Sequence, residues 1–416
     1  MSEWHVIGAR PLRGSVRMQG SKNAVLPVIA ASLLTPNETV LTNCPALSDV
    51  DAAVDILRYL GCTAEQREGE VHINTAAPER WDIPSELTHR MRSSVIFLGP
   101  MLARFGRARV SLPGGCELGA RPIDLHLRAL RCLGAEIEEL SDGVLCRARE
   151  LRGTEIRLGL PSVGATENAM IAACAARGET VIYNAAREPE IETLQGYLRL
   201  LGADISGAGS PVIRVKGFSP RDHAVLTVPP DRIVTATYLC CAVCAGGELE
   251  LRGVRPRELR PVLSVLRCMG CDLTEGESSL RLRAPERPRP AGAVITRPYP
   301  GFPTDAAPLL MAACLRAGGS SVFMENIFDC RFRHAEEMRR LGADISLRGP
   351  VAVVNGVERL RGARLRSPDL RGGAALVAAA LGAEGETIIE DPGHIPRGYQ
   401  ALEESLRALG AEVWRI

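Results

Sequence analysis

Lysine is almost missing from this sequence: Lys22 and Lys216 are the only two among 50 basic residues, and the other 48 are arginine. With lysine at those two places alone, no Gly-x-x-x-x-Gly-Lys phosphate loop exists. No Gly-x-Gly-x-x-Gly follows a clear strand either, so neither common nucleotide-binding motif is present. An excess of one charge is also lacking. The 50 basic and 49 acidic residues leave a formal charge of +1, too little to set up a net field for nucleic acid or an anionic membrane. No apolar run approaches the roughly 18 residues of a membrane span, and Met1-Ser-Glu-Trp-His has no basic segment followed by an apolar one. The 13 cysteines are odd in number and scattered, which fits a reducing compartment and not a disulfide framework. The expectation is a soluble cytoplasmic protein with neither nucleic acid nor membrane as partner.

What is present is an internal repeat. A leucine or methionine followed by glycine closes a helical stretch at Gly61, Gly134, Gly202, Gly270, Gly342 and Gly410, about 70 residues apart. Each repeat holds an apolar helix of small residues, such as Ala165 to Ala176, Ile233 to Ala245 and Ala306 to Ala317. Turns such as Gly178-Glu-Thr-Val-Ile and Gly385-Glu-Thr-Ile-Ile lead into strands, and Glu155-Ile-Arg-Leu and Val212-Ile-Arg-Val read as strands by alternation. A unit this long is an α/β module, not a solenoid repeat. The seam between two groups of three modules is expected near Lys216 to Pro230, where Gly217, Pro220 and Pro229-Pro230 break the pattern, with a second crossing near Gly20. The expected domains are 22–229 and 1–21 with 230–416.

Two cysteine pairs carry a zinc-like spacing, Cys241-x-x-Cys244 and Cys268-x-x-Cys271. The first falls in the apolar helical run Tyr238 to Ala245, without the turns of a zinc knuckle, so core packing is the favoured reading and no metal is expected.

Polar residues recur at the starts of the apolar helices: Lys22-Asn23, Arg92-Ser93-Ser94, Ser162 to Thr166, Asp231-Arg232, Thr304-Asp305 and Asp369 to Arg371. Capping accounts for the serine, threonine, asparagine and aspartate residues. It does not account for Lys22, Arg92, Arg232 or Arg371, because a cation at a helix N-terminus opposes the macrodipole. An anion bound between the two resolves the conflict. Two three-module domains whose helix starts face a shared cleft, binding a ligand with several phosphate or carboxylate groups, is the inference. One further stretch stands apart. Pro113-Gly-Gly-Cys116 leads into Gly119-Ala-Arg121-Pro-Ile-Asp124-Leu-His126, placing a thiol on a glycine-rich loop with charged neighbours.

Together, Ser21-Lys22-Asn23-Ala24, the Cys116 loop, the run Gly119 to His126, Ser162-Val-Gly-Ala-Thr166, Phe302-Pro-Thr-Asp305 and Arg397-Gly-Tyr399 closely resemble the enolpyruvyl transferases that act on UDP-N-acetylglucosamine. The resemblance runs from about residue 5 to the C-terminus. It implies a two-domain inside-out α/β barrel of six related modules, with the active site in the cleft between the domains. It further implies transfer of the enolpyruvyl group of phosphoenolpyruvate to the sugar 3-hydroxyl with release of phosphate, the first committed step of peptidoglycan synthesis, without a cofactor. By resemblance, Lys22, Arg121 and Arg397 hold the phosphate, Arg371 and Arg397 the carboxylate, and Asn23 the sugar or the intermediate. Arg92, Arg121, Pro122, Ile123, Asp124, Leu125, Ser162, Val163, Gly164 and Ile327 line the nucleotide-sugar site. Asp305 is the candidate base, with helix capping as its alternative role. Cys116 is the candidate acid, or the nucleophile of a covalent adduct with phosphoenolpyruvate, and both roles stay open.

The sequence departs from the family pattern at Ala306 to Leu309, where glutamine-bearing sequence is usual, and at Val234 and Ala236. A catalytically silent nucleotide-sugar-binding relative is therefore weighed as an alternative. The related enzyme using shikimate 3-phosphate is a further alternative, although it lacks the cysteine loop. Oligomeric state is not legible.

Overall fold

The computed structural model describes residues 2–91, 93–111 and 123–416. The strands fall into six four-stranded sheets of one plan. In the sheet of Glu155–Arg157, Thr180–Tyr183, Val212–Phe218 and Ala203–Ser206, the first two strands are parallel and the other pairings are antiparallel. A parallel pair needs a long crossover. The helix Val163–Cys174 supplies it, and a second helix, Pro189–Leu200, leads to the closing antiparallel strands. The sheet of Asp82–Ile83, Arg107–Ser111, Gly143–Arg147 and Glu136–Leu140 follows the same plan. So does that of Ala293–Ile295, Ser320–Met324, Val351–Asn355 and Asp344–Arg348.

The other three sheets borrow a strand from a distant part of the chain. His223–Thr227 pairs parallel with Glu38–Thr42, and Leu12–Arg17 pairs parallel with Gly247–Arg252. Ser2–Ile7 lies between Glu386–Asp391 and Glu412–Arg415, antiparallel to both. Within Lys216 to Pro230 the breaks expected at Pro220 and Pro229 lie outside strands, whereas Gly217 lies inside one. Val212–Phe218 and His223–Thr227 are both strands, the second an edge strand whose single buried side chain, Ala224, leaves little apolar signal.

Residues 2–19 and 230–416 form one compact unit, and 20–111 with 123–229 form the other; we call them the Asp305 unit and the Lys22 unit. Each has its own core. In the Asp305 unit the helices Arg232–Ala245, Ala307–Cys314 and Leu370–Leu381 pack on one another. In the Lys22 unit Leu98–Phe105 packs on Val163–Cys174 and on the Ser32–Leu34 turn that continues Lys22–Ala31. The helices Arg232–Ala245, Val163–Cys174 and Leu370–Leu381 are almost wholly buried and rich in alanine, whose small side chain lets neighbours approach closely. The sheets lie outside. Their strands alternate buried and exposed residues, as in Ser279–Arg283, so one face covers the helices and the other meets water. Cys240, Cys241 and Cys244 are core residues of Arg232–Ala245, and burial pushes Cys241 up to about 12. Of the second pair, Cys271 is buried and Cys268 is exposed. No helix among the described residues is long and apolar enough to cross a membrane.

Gly8 ends the first strand against the helix Leu370–Leu381, and a Cβ there would sit 2.2 Å from the carbonyl oxygens of Ala380 and Ala383. Gly8→Ala is expected to destabilise the protein by about 2 kcal/mol, the cost of forcing backbone apart. Gly196, in the helix Pro189–Leu200, has open space around its Cβ position. Gly196→Ala should stabilise by about 0.5–1 kcal/mol through helix propensity. Urea unfolding of the two variants checks both signs.

Candidate active-site residues

In the Lys22 unit, Ser21 caps the helix Lys22–Ala31 by accepting the Ala24 N–H at 3.3 Å. Lys22 is no surface lysine. Its side chain is 11% exposed, and Nζ donates to Asp49 Oδ2 at 3.1 Å, with Asp49 3% exposed. Asn23 follows, half-buried. Ile123 precedes the helix Asp124–Cys132, where Asp124 is exposed in the first turn and complements the macrodipole, and Leu125 is half-buried. Ser162 caps Val163–Cys174 by accepting the Ala165 N–H at 3.4 Å. The two segments meet through His126, whose ring lies against Gly164; a Cβ on that glycine would stand 2.8 Å from His126 Cε1. One turn further along the same helix Glu167 is buried, and its carboxyl is pushed up to about 8 by burial and then by Glu190 and Glu188.

In the Asp305 unit, Asp231 and Asp369 cap their helices as expected, each taking two backbone N–H groups. Asp305 does not. The short turn Thr304–Ala306 that leads into Ala307–Cys314 has no side-chain cap, and the Asp305 carboxylate is held instead between two buried arginines. Arg331 Nη2 donates to Oδ1 at 2.9 Å, and Arg371 Nε donates to Oδ2 at 3.2 Å. The arginines are 1% and 2% exposed, against 29% for Asp305. The capping role is therefore corrected: two charge-assisted bonds outweigh what the carboxylate would gain from a helix start.

Arg371 is the more informative of the pair. Both of its terminal nitrogens are buried without a hydrogen-bond partner. Tyr399 lies beside the guanidinium, 5.4 Å from ring centre to Cζ; its hydroxyl pairs with Thr237 Oγ1 at 2.9 Å and also supports the Arg371 charge. Burial opposes the Arg371 charge; Tyr399, Asp305 and Asp231 outweigh it and hold the pKa above its ordinary value. Arg397 ends the short turn Ile395–Arg397. Gln19 clamps that segment, donating to Gly398 O at 3.2 Å and accepting the Gln400 N–H at 2.8 Å. Ile327 is exposed on the loop after Ser320–Met324.

Four expected site residues, Arg92, Cys116, Arg121 and Pro122, lie outside the described residues. Others that organise the site have no motif in the sequence. Arg331 donates from Nε and Nη2 to Thr304 O, as well as to Asp305. Glu325, buried at the end of its strand, accepts the Thr304 hydroxyl on Oε2 at 2.9 Å. Its Oε1 accepts the N–H groups of Ile327 at 2.7 Å and Phe328 at 3.1 Å. One carboxylate thus ties the Ile327 loop to the turn that carries Asp305. A charged residue closing a buried strand was the one available signal. His334 is buried and is pushed down to about 4 by burial, with Asp369 pulling the other way. Glu325→Ala is expected to cost about 3 kcal/mol, since three donors lose a buried charged acceptor, whereas Glu325→Gln keeps both amide bonds and costs about 1 kcal/mol. Chemical denaturation of the two variants measures the difference.

Comparison with known proteins agrees with this architecture. The family model for EPSP synthase (3-phosphoshikimate 1-carboxyvinyltransferase) matches residues 6–406. UDP-N-acetylglucosamine 1-carboxyvinyltransferase 2 of Caldanaerobacter subterraneus subsp. tengcongensis is 44% identical over 416 residues, the full length of both chains. UDP-N-acetylglucosamine 1-carboxyvinyltransferase 1 of Symbiobacterium thermophilum is 48% identical over 99% of this chain and 94% of its own. Among solved structures, the enolpyruvyl transferase NikO from Streptomyces tendae superposes with a TM-score of 0.91 at 25% identity, covering 100% of this chain and 98% of NikO. An EPSP synthase from Acinetobacter baumannii shares the fold with a TM-score of 0.77 at 19% identity, covering both chains completely. With relatives this similar along its whole length, the chain belongs to the enolpyruvyl transferase family and, within it, to the UDP-N-acetylglucosamine 1-carboxyvinyltransferases.

Proposed function

We propose that the protein transfers the enolpyruvyl group of phosphoenolpyruvate to the 3-hydroxyl of UDP-N-acetylglucosamine and releases phosphate, as the names of its full-length relatives state for them. The product is a peptidoglycan precursor and the proposed compartment is the cytoplasm, in keeping with described cysteines that are all free. The observation that carries the chemistry is Arg371. A buried guanidinium with two unpartnered terminal nitrogens offers a planar fork of donors, the shape that a carboxylate or phosphate fills. The phosphoenolpyruvate carboxylate is its proposed occupant, together with Arg397.

The reaction needs the sugar hydroxyl oxygen to attack C2 of the enol while C3 gains a proton; C3 then loses a proton as the C2–O bond to phosphate breaks. Asp305 is proposed as the base that takes the hydroxyl proton. Its two arginine partners fix the carboxylate in direction, and its partial exposure leaves it open to a substrate. Lys22 and Arg121 are proposed for the phosphate, where a compact ammonium follows charge as it moves. Asn23 is proposed for the sugar or the intermediate. Arg92, Arg121 to Leu125, Ser162 to Gly164 and Ile327 are proposed for the nucleotide sugar. Cys116 is proposed as the acid or the adduct-forming nucleophile. This residue set is divided between the two units, with Lys22, Asn23, Ile123 to Leu125 and Ser162 to Gly164 in one and Asp305, Ile327, Arg371 and Arg397 in the other.

Phosphate release with each acceptor tests the reading. Activity is expected with UDP-N-acetylglucosamine and not with shikimate 3-phosphate, and Asp305→Ala should lower kcat by about 100-fold or more, the usual weight of a positioned base. Release with shikimate 3-phosphate alone would overturn the assignment, and nucleotide-sugar binding without turnover would make the protein a silent relative. Separately, the epoxide fosfomycin, a mimic of phosphoenolpyruvate, should alkylate Cys116 and spare Cys132, Cys268 and Cys330, the exposed thiols among the described residues. Mass mapping of the treated protein distinguishes them.

A further inference from the structure

His126 belongs to none of the roles above, yet its surroundings define its protonation state without ambiguity. Asn168, buried one turn beyond Ser162 to Gly164, decides it. The N–H of Gly99 can only donate, and it meets Asn168 Oδ1 at 2.8 Å. The carbonyl of Val95 can only accept, and it meets Asn168 Nδ2 at 2.9 Å. These two backbone groups fix the orientation of the amide. Its remaining N–H points at His126 Nδ1, 2.8 Å away. Nδ1 must then be an acceptor, and the ring proton sits on Nε2.

The other side of the ring is equally constrained. His126 Cε1 and Nε2 lie 2.8 Å and 3.1 Å from where a Cβ on Gly164 would stand, so the imidazole occupies the space that glycine leaves open at the helix start. His126 is in the first turn of Asp124–Cys132, directly after Ile123 to Leu125, and Gly164 is in the first turn of Val163–Cys174, directly after Ser162. One ring therefore spans the two segments proposed to hold the nucleotide sugar, with Asn168 bracing it from within the second helix.

We propose that His126, locked by Asn168 as the neutral Nε2–H tautomer, is the positioning residue that sets the starts of the Asp124–Cys132 and Val163–Cys174 helices against each other, and through them the affinity for UDP-N-acetylglucosamine. The clause about the nucleotide sugar rests on the function proposed above. Burial also holds the ring neutral, pushing it down to about 4 against the opposing pull of Asp124. A charged imidazolium would present an N–H to a donor and break the Asn168 contact.

Nitrogen NMR of the histidine-labelled wild-type protein at pH 7, assigned by comparison with His126→Asn, reads the tautomer directly. A pyridine-type Nδ1 and a protonated Nε2 are expected; a protonated Nδ1 or an imidazolium overturns the proposal. Kinetics supply the second arm. His126→Phe keeps a ring but strands the Asn168 N–H, and should raise KM for UDP-N-acetylglucosamine about tenfold while kcat and the KM for phosphoenolpyruvate stay within about twofold. His126→Asn restores an acceptor and should recover most of that loss. An unchanged KM in His126→Phe, or a fall confined to kcat, also overturns it. If the wild-type protein does not turn over UDP-N-acetylglucosamine at all, the functional reading falls, and the tautomer in that same protein still decides whether His126 is locked in this way.

Discussion

A helix buried on every side has only its ends available for polar chemistry. That constraint orders the rest of this protein. The helices Arg232–Ala245, Val163–Cys174 and Leu370–Leu381 are buried around almost their whole circumference, their polar residues lie mostly in the first two turns, and an uncompensated charge further in would be stranded in a core with no water. Their first turns are the exception, because the unpaired N–H groups there must be satisfied in any case. Ser21, Ser162, Asp231 and Asp369 do this in part. The same positions then carry Lys22 and Arg371, which a stability argument alone would exclude. Much of the candidate chemistry is collected at helix starts for this reason.

The Asp305 cluster shows how such a site holds its charge. Two nearly inaccessible guanidiniums share the Asp305 carboxylate, and both terminal nitrogens of Arg371 remain outside hydrogen-bond geometry. Leaving buried donors without acceptors is costly, and that cost is relieved when an anion arrives. Site and stability are thus in tension, as in other proteins that keep function at strained or under-satisfied positions. Glu325 and Arg331 contribute by removing freedom: they tie the backbone of Thr304 to the Ile327 loop, so that Asp305 is directed by a rigid turn.

Much of this was legible in the sequence because it is local. The repeated leucine–glycine helix ends, the small-residue helices and the capping residues each lie within a few positions of one another, and the structure keeps them nearly where pattern places them. The misreadings share a different cause. Asp305 looks like a cap because a threonine–aspartate pair before an apolar run is what a cap looks like; its true partners are 26 and 66 residues away. Glu325 reaches back 21 residues to Thr304, and Asn168 reaches 42 residues to His126. The edge strand His223–Thr227 finds its neighbour 185 residues earlier in the chain. Contacts of that span leave no periodicity, so nothing short of the folded chain discloses them.

The strand Ser2–Ile7 has a consequence for how the protein is made. It is synthesised well before its partners: Ser2 bonds to Asp391, 389 residues further along the chain. The Lys22 unit has no such dependence, since its own closing strand, His223–Thr227, is synthesised before the Asp305 unit is under way. Vectorial synthesis therefore lets one unit fold while the other waits with an unpaired N-terminal edge. Until those partners are made, that edge is a hydrogen-bonding surface without a partner, the kind that other chains can capture. Its alternating charged and apolar residues, Glu3, Trp4, His5 and Val6, keep it soluble until residues 386–415 arrive.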